Sequence, residues 1–151
     1  MKGLPIYLNF RQAETLLSQF QETASYRGWV LHAVAIMANH VHLVVEVTGD
    51  PDPDRVLADL KAYGSRSLNR GFGKPASETW WTSRGSTRKL ADERAVAAAI
   101  DYVLYKQPHP LMVWSSTSSS KFGPVEFGKY SAGVGAFESP LDGDLLAVAV
   151  A

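Results

Sequence analysis

Two runs of β-favouring residues, joined by a short connection, constrain the fold of this chain more than any other feature. The runs span residues 29–36 (WVLHAVAI) and 42–47 (HLVVEV), and both are rich in the branched residues that favour strands. A connection as short as residues 37–40 permits only antiparallel pairing, because parallel strands need a crossover of about a dozen residues or more. The sequence therefore predicts a β-hairpin at the centre of a sheet.

Helical patterns lie on both sides of this hairpin. Residues 11–25 place apolar side chains at i, i+3, i+4 and i+7, which predicts an amphipathic helix that ends at Gly28. After the hairpin, Asp52 or Asp54 is placed to cap a second helix, which we expect to stop at Gly71.

The rest of the chain predicts one more strand and one more helix. Residues 78–83 (ETWWTS) are aromatic and Thr-rich, which favours a strand. Asp92 is placed to cap a third helix, and Pro108 sets its end. Residues 4–10 could add a first strand, although that strand is short and contains Pro5.

This order predicts an α+β fold, a ferredoxin-like split βαβ sandwich. In such a fold an antiparallel sheet carries helices on one face, here with a further C-terminal helix and a first strand that is short or missing. The length of 151 residues fits one domain. We expect that domain to span residues 1–114, followed by a loosely ordered Ser/Gly-rich tail at 115–151, whose apolar end is either an edge strand or frayed.

The hairpin carries two histidines, His40 and His42, in an H-x-H pattern. Residues i and i+2 of a strand project from the same face, so both imidazoles can reach one divalent cation while Val41 and Leu43 fill the opposite face. The chain has no cysteine, so any metal must use histidine, carboxylate or amide ligands. The alternative is that the pair consists of two polar residues at a strand edge.

The net charge of zero hides a basic segment in the middle of the chain. Residues 61–89 carry seven basic residues and one acidic residue, while residues 1–60 and 90–151 each carry four basic and seven acidic ones. Such a segment can bind nucleic-acid phosphates, and Trp80 or Trp81 could stack on an unpaired base. The alternative is a solvated helix face with tryptophans in the core. The candidate DNA-binding residues are Lys61, Ser65, Arg66, Asn69, Arg70, Arg84, Ser86, Arg88 and Lys89.

Tyr102 belongs to the third predicted helix and lies about 120° from its apolar stripe. It is therefore expected on the flank of the helix, where its hydroxyl can react. A tyrosine hydroxyl has a reference pKa of about 10, so it needs a nearby cation to act as a nucleophile at neutral pH.

Four ordered blocks of sequence together resemble the single-tyrosine HUH transposases, in particular the branch related to REP-associated tyrosine transposases. The blocks are MANHVHLVV (37–45), VL..LKAY.SR.LN (56–69), WT.RGSTR (81–88) and AIDYVL..Q (99–107). The resemblance implies a ferredoxin-like catalytic domain, usually a homodimer, that cuts and rejoins single-stranded DNA near hairpins.

The resemblance also implies a role for each candidate residue. His40 and His42 would bind Mg²⁺ or Mn²⁺, and Tyr102 would be the nucleophile that forms a 5′-phosphotyrosine link. Gln107 would be the third metal ligand. It follows Tyr102 by five residues, about 140° around an ideal helix, so this role requires a distorted last turn.

Two functions remain open at the level of the sequence. The first is a metal-dependent transposase that nicks and joins DNA, and the second is a domesticated or truncated relative that binds DNA without cutting it. The sequence contains no apolar run long enough to span a membrane and no signal peptide. We therefore expect a cytoplasmic, nucleoid-associated bacterial protein.

Overall fold

The computed structural model describes residues 6–49, 51–81, 85–90, 92–116 and 143–150. The described strands form one sheet in the order β3-β5-β2-β1-β4, and each neighbouring pair is antiparallel. The predicted α+β class is thus confirmed. The elements in chain order are α1 (Phe10–Arg27), β1 (Val30–Ile36), β2 (Val41–Thr48), α2 (Pro53–Phe72), β3 (Gly85–Leu90), α3 (Glu93–Tyr105), β4 (Met112–Ser115) and β5 (Gly143–Val150).

The predicted hairpin is the β1–β2 pair, with Ile36 opposite Val41 at its closed end. Alternation along β2 divides the core into two clusters. Val41, Leu43 and Val45 pack with α1 and α2, whereas Val44 packs with α3. Two helices therefore share one face, as predicted, and α3 covers the opposite face.

The helix ends follow the capping residues of the sequence. Asp92 accepts a hydrogen bond from Ala95 N–H at the start of α3, and Asp52, rather than Asp54, is the N-cap of α2. The predicted end of α2 at Gly71 is wrong by two residues. Gly71 has helical backbone, and the helix stops at Gly73, whose φ of 81° leaves the helical region.

The strand predicted at residues 78–83 is wrong for its described part. Residues 78–81 form bends and irregular backbone, and Glu78 has a φ of 73°, which a strand does not tolerate. The aromatic residues that suggested a strand pack against the helical layer instead. The strand in this region is β3, which begins at Gly85.

The two ends of the chain differ in how they join the sheet. Residues 6–9 form no strand, but Leu8 N–H donates to the Ala38 carbonyl at 2.7 Å. At the other end, β5 lies inside the sheet, where Val148 is opposite both Leu43 and Thr87, so it is not an edge strand. The expected loosely ordered tail otherwise falls on residues 117–142, which lie outside the described residues. In the described residues, no helix has the length and apolar character needed to cross a membrane.

Candidate active site

His40 and His42 lie together at the closed end of the β1–β2 hairpin. His42 is the second residue of β2 and is opposite Ala35 of β1, so it faces α3. The two imidazole rings are perpendicular, and their centroids are 5.2 Å apart. The structure thus brings together the two histidines of the H-x-H pattern.

Tyr102 stands beside this pair. Ile100 and Val103 of α3 are buried against the sheet, which leaves the Tyr102 side chain on the flank of the helix, 51% exposed, as the helical spacing predicts. Its ring centroid is 5.7 Å from that of His42, and the rings are nearly perpendicular at 86°. Packing of α3 on the hairpin therefore places a phenol ring next to the His42 imidazole.

Asn39 is a site residue that the sequence reasoning did not identify. Its Oδ1 lies 2.8 Å from His40 Nδ1, so this nitrogen donates its proton to the amide oxygen. A histidine fixed in this way presents its Nε2 lone pair to a metal. The signal in the sequence was the position of an amide residue immediately before the H-x-H pattern.

The electrostatics favour a neutral imidazole at His42. Burial lowers the pKa of His42, and the charge that neighbouring His40 can carry lowers it further. At neutral pH His42 therefore keeps the lone pair that metal binding requires.

The geometry of the histidine pair fits a shared cation. A histidine nitrogen binds a metal at about 2.1 Å, so rings 5.2 Å apart are close enough to share one ion. In the described part of the chain, no group of three or more His, Cys, Asp or Glu side chains is placed to hold a metal. Amide, water or phosphate oxygens could serve as further ligands, and these suit Mg²⁺ and Mn²⁺.

Gln107 lies beyond the end of α3 and not on the helix. The last helical residue is Tyr105, and Gln107 Nε2 donates to the Tyr102 carbonyl at 3.3 Å. The ideal-helix angle between the two residues therefore does not apply. The Oε1 atom, which a metal would need, takes no part in this hydrogen bond.

The polar flank of α2 holds the two tryptophans. Trp80 Nε1–H donates to Asn69 Oδ1 at 2.8 Å, and Trp81 Nε1–H donates to Ser65 Oγ at 2.8 Å and to the Lys61 carbonyl at 3.0 Å. Both tryptophans are half-buried. Two of the predicted DNA-binding residues on α2, Ser65 and Asn69, thus position aromatic side chains.

The charged side chains of α2 differ in exposure. Lys61 is half-buried, and burial lowers its pKa. Arg66 and Arg70 are exposed, and the Arg66 guanidinium carbon lies 5.0 Å from the centre of the Tyr63 ring. Within the basic segment, the exposed cationic surface of α2 is therefore concentrated at Arg66 and Arg70.

The remaining predicted DNA-binding residues belong to β3 or precede it. Arg84 lies outside the described residues, and Ser86 is part of β3. Leu90 is buried with α3, so alternation places Arg88 on the α3 face and Lys89 on the other face. Arg88 is opposite Ala147 of β5. Because β5 lies between β3 and β2, Arg88 is about 10 Å from β2 across the sheet.

Comparison with known proteins identifies the family. The model of the family described as "Transposase IS200 like" matches residues 7–103, well over half of the chain, and the matched segment contains His40, His42 and Tyr102. No curated protein and no solved structure matches the chain significantly. Members of the matched family are transposition nucleases that act on DNA and generally use divalent metals. The chain therefore belongs to the IS200-like transposases, a family of single-tyrosine HUH transposases.

Proposed function

We propose that this protein nicks and rejoins single-stranded hairpin DNA through a 5′-phosphotyrosine intermediate on Tyr102. The observation that carries the proposal is the contact between the Tyr102 and His42 rings, 5.7 Å apart, from residues that are 60 positions apart in sequence. In this arrangement a nucleophile lies within reach of a phosphate bound at the His40–His42 pair. The family match supports DNA as the substrate.

The reaction exchanges one phosphodiester bond for another. The Tyr102 oxygen attacks the scissile phosphorus and loses its proton to solvent, while the bond to the 3′ oxygen breaks and that oxygen takes up a proton. Because the phosphotyrosine link conserves the energy of the bond, a free 3′-hydroxyl can attack it and rejoin the strand without ATP. Simple hydrolysis of the phosphotyrosine link would release that energy without rejoining the strand.

His40 and His42 are proposed to hold Mg²⁺ or Mn²⁺, with Gln107 Oε1 as the candidate third ligand. When bound, the cation would polarise the scissile phosphate and stabilise the developing negative charge. Asn39 orients His40 for this task through its hydrogen bond.

Arg66, Arg70 and Arg88 are proposed to contact backbone phosphates of the DNA. We also propose that the protein acts as a homodimer.

A cleavage assay tests the proposal. Hairpin oligonucleotides with single-stranded flanks and a 3′-terminal label are incubated with the protein and Mn²⁺, and labelled protein is separated from free DNA under denaturing conditions. The wild-type protein is expected to carry the label, and Tyr102→Phe is expected to carry none. Tyr105→Phe, on the same helix, is the matched control and should retain the label.

A second candidate function is decided by the same assay. If the wild-type protein binds the hairpins but never carries the label, the non-catalytic DNA-binding function predicted as the alternative is correct. If Tyr105→Phe loses the label and Tyr102→Phe keeps it, the assignment of the nucleophile is wrong.

A further inference from the structure

The helix α2 connects two strands that lie one strand apart in the sheet. β2 and β3 are both antiparallel to β5, which lies between them, so β2 and β3 are parallel to each other. Two parallel strands joined by a helix, with another strand in the gap, form a split βαβ unit. Such a unit needs the strand in its gap, because the facing edges of its two strands would otherwise carry unpaired backbone N–H and C=O groups.

In a complete split βαβ sandwich, this gap holds the strand that precedes the first helix. The described residues before α1, 6–9, form no strand, and β5 lies in the gap instead. β5 is parallel to β1, as a strand that leads through α1 into β1 must be. It ends at Val150, opposite Val41, and Leu8 N–H bonds to the carbonyl of Ala38, three residues before Val41. The segment that leads into α1 is therefore at the end of the sheet where β5 ends.

The composition of β5 and β3 agrees with this strand order. Residues 145–150 read LLAVAV, a continuous apolar run of the kind found in strands that are covered on both faces. β3 reads GSTRKL, and its Arg88 and Lys89 are exposed. Charged side chains are typical of edge strands, where they prevent pairing with other chains. The apolar segment thus suits the centre of the sheet, and the charged segment suits its edge.

The connection that leads to β5 is long enough for the same chain to supply this strand. β4 ends at Ser115 and β5 begins at Gly143, so 27 residues (116–142) connect them. Both of these strand ends lie toward the open end of the hairpin, and they are three strand spacings apart, about 14 Å. An extended chain of about five residues could span that distance. A strand tethered in this way also has a higher effective concentration than one from another molecule.

β5 links the basic strand to the histidine strand. Ala149 of β5 is opposite His42 of β2, and Ala147 of β5 is opposite Arg88 of β3. In the part of the sheet that the structure describes, β3 pairs with β5 alone. The position of Arg88 relative to His42 across the sheet therefore depends on the backbone of β5.

We propose that residues 143–150 fill, within the same molecule, the position of the strand that precedes the first helix in a split βαβ fold. These residues then belong to the folded domain, and they hold Arg88 at a fixed distance from His42. The role of Arg88 rests on the proposed function, because it takes this residue to contact DNA, whereas the position of β5 does not.

Disulfide trapping in the full-length protein tests the position of the strand. The chain has no cysteine, so Arg88→Cys/Ala147→Cys introduces one pair, at opposed positions of β3 and β5, where the Cα–Cα distance suits a disulfide. Mild oxidation is expected to link the two cysteines within one molecule. Arg88→Cys/Val148→Cys is the matched control. Its second cysteine is one residue further along the strand, where alternation turns it to the other face of the sheet, so no disulfide is expected.

Intact mass and non-reducing electrophoresis distinguish the outcomes. An intramolecular disulfide in the first variant and none in the control would support the proposal. A disulfide-linked dimer would assign the strand to a second copy of the chain. Equal oxidation of both variants, or oxidation of neither, would mean that β5 does not lie in the gap. Each of these last results would overturn the proposal.

The affinity for hairpin DNA tests the link to Arg88. Ala147→Pro removes a backbone N–H from a strand that is paired on both sides, whereas Ala147→Ser keeps it. In Ala147→Pro, the slope of log affinity against log salt is expected to decrease by about 0.7 to 0.9, as in Arg88→Ala. Because both changes remove the same phosphate contact, the double variant is expected to lose no more than either single variant.

Circular dichroism of the same samples shows whether the helices persist. Loss of the helical signal in Ala147→Pro, but not in Ala147→Ser, would also show that residue 147 is part of the folded domain. With the helices intact, additive losses in the double variant would overturn the role of β5 in placing Arg88. A wild-type protein that does not bind hairpin DNA would contradict the proposed function, and the disulfide result would still decide the position of β5.

Discussion

His40 occupies the position on which most of this site depends. It is one of two perpendicular imidazoles, and its Nδ1 is bonded to Asn39. Its backbone carbonyl also accepts the N–H of Met37, which closes the hairpin turn. The turn that makes the hairpin therefore also sets the orientation of a candidate ligand.

Replacing Asn39 tests whether that orientation matters. Asn39→Ala is expected to weaken Mn²⁺ binding by about 10-fold to 100-fold, the usual cost of removing a hydrogen bond that orients a ligand. Asn39→Asp keeps an acceptor oxygen and should restore most of the affinity. Isothermal titration calorimetry with Mn²⁺ measures both variants, and equal affinity for wild type and Asn39→Ala would contradict the role.

The buried His32 predicts how stability depends on pH. Burial lowers its pKa, although the hydrogen bond and charge of Glu46 act in the opposite direction. Below the unfolded value of about 6.5, the unfolded chain therefore binds more protons than the folded one, and the free energy of unfolding decreases as the pH falls.

Urea unfolding measured between about pH 7.5 and about pH 5.5 checks this sign. His32→Gln removes the titrating group but can still donate to Glu46, so its stability should change less over this range. The remaining pH dependence would include His42, whose pKa is also lowered. A wild-type protein that becomes more stable as the pH falls would contradict the expectation.

At the scale of elements, the sequence predicted correctly those features that depend on residues close together in the chain. The i, i+2 spacing of the H-x-H pattern predicted that His40 and His42 would lie together, and the spacing of α3 predicted the exposed flank on which Tyr102 lies. The failures involve distant partners. Trp80 and Trp81 favoured a strand by composition, but their indole groups bond to α2, and β5 joins β2 from about a hundred residues further along the chain.

Alanine substitutions at two glycines of α2 are expected to have opposite effects on the free energy of unfolding. A Cβ at Gly64 would meet Leu16 Cδ1 at 2.8 Å and Trp81 Cζ2 at 3.3 Å, and Leu16 is fully buried, so it has little room to move. Gly64→Ala is therefore expected to be destabilising, because overpacking costs about 1–3 kcal/mol against a helix-propensity gain of about 1 kcal/mol.

Gly71→Ala is the matched control on the same helix. A Cβ at Gly71 meets nothing within 4 Å, so this change should stabilise the protein by up to about 1 kcal/mol through helix propensity alone. Thermal unfolding of both variants measures the difference. The same sign for both would show that α1, α2 and Trp81 do not pack as closely as the structure indicates.

At the scale of the whole molecule, positive charge is concentrated in one segment of the chain. The net charge is zero, yet Arg66 and Arg70 of α2 and Arg88 of β3 are exposed cations. An average charge thus says little about the surface that meets DNA. What the sequence could not predict is that Ser65 and Asn69 support tryptophans, because that depends on the path of the loop after α2.

Salt dependence tests the basic surface. Replacing Arg66, Arg70 or Arg88 by Ala is expected to weaken binding to hairpin DNA. The slope of log affinity against log salt should decrease by about 0.7 to 0.9 for each DNA phosphate that the variant no longer neutralises. Arg94→Ala, an exposed change on α3 outside the basic segment, should leave the slope unchanged. Unchanged slopes for all three arginines would favour a solvated helix face.

The most direct test of the central claim is the intact mass of the protein after incubation with Mn²⁺ and a hairpin oligonucleotide. We predict a mass increase equal to the DNA fragment downstream of the nick, located by peptide mapping on Tyr102. We also predict that the increase disappears in His40→Ala and His42→Ala variants that remain folded. An adduct on another residue, or cleavage without any adduct, would contradict the phosphotyrosine mechanism.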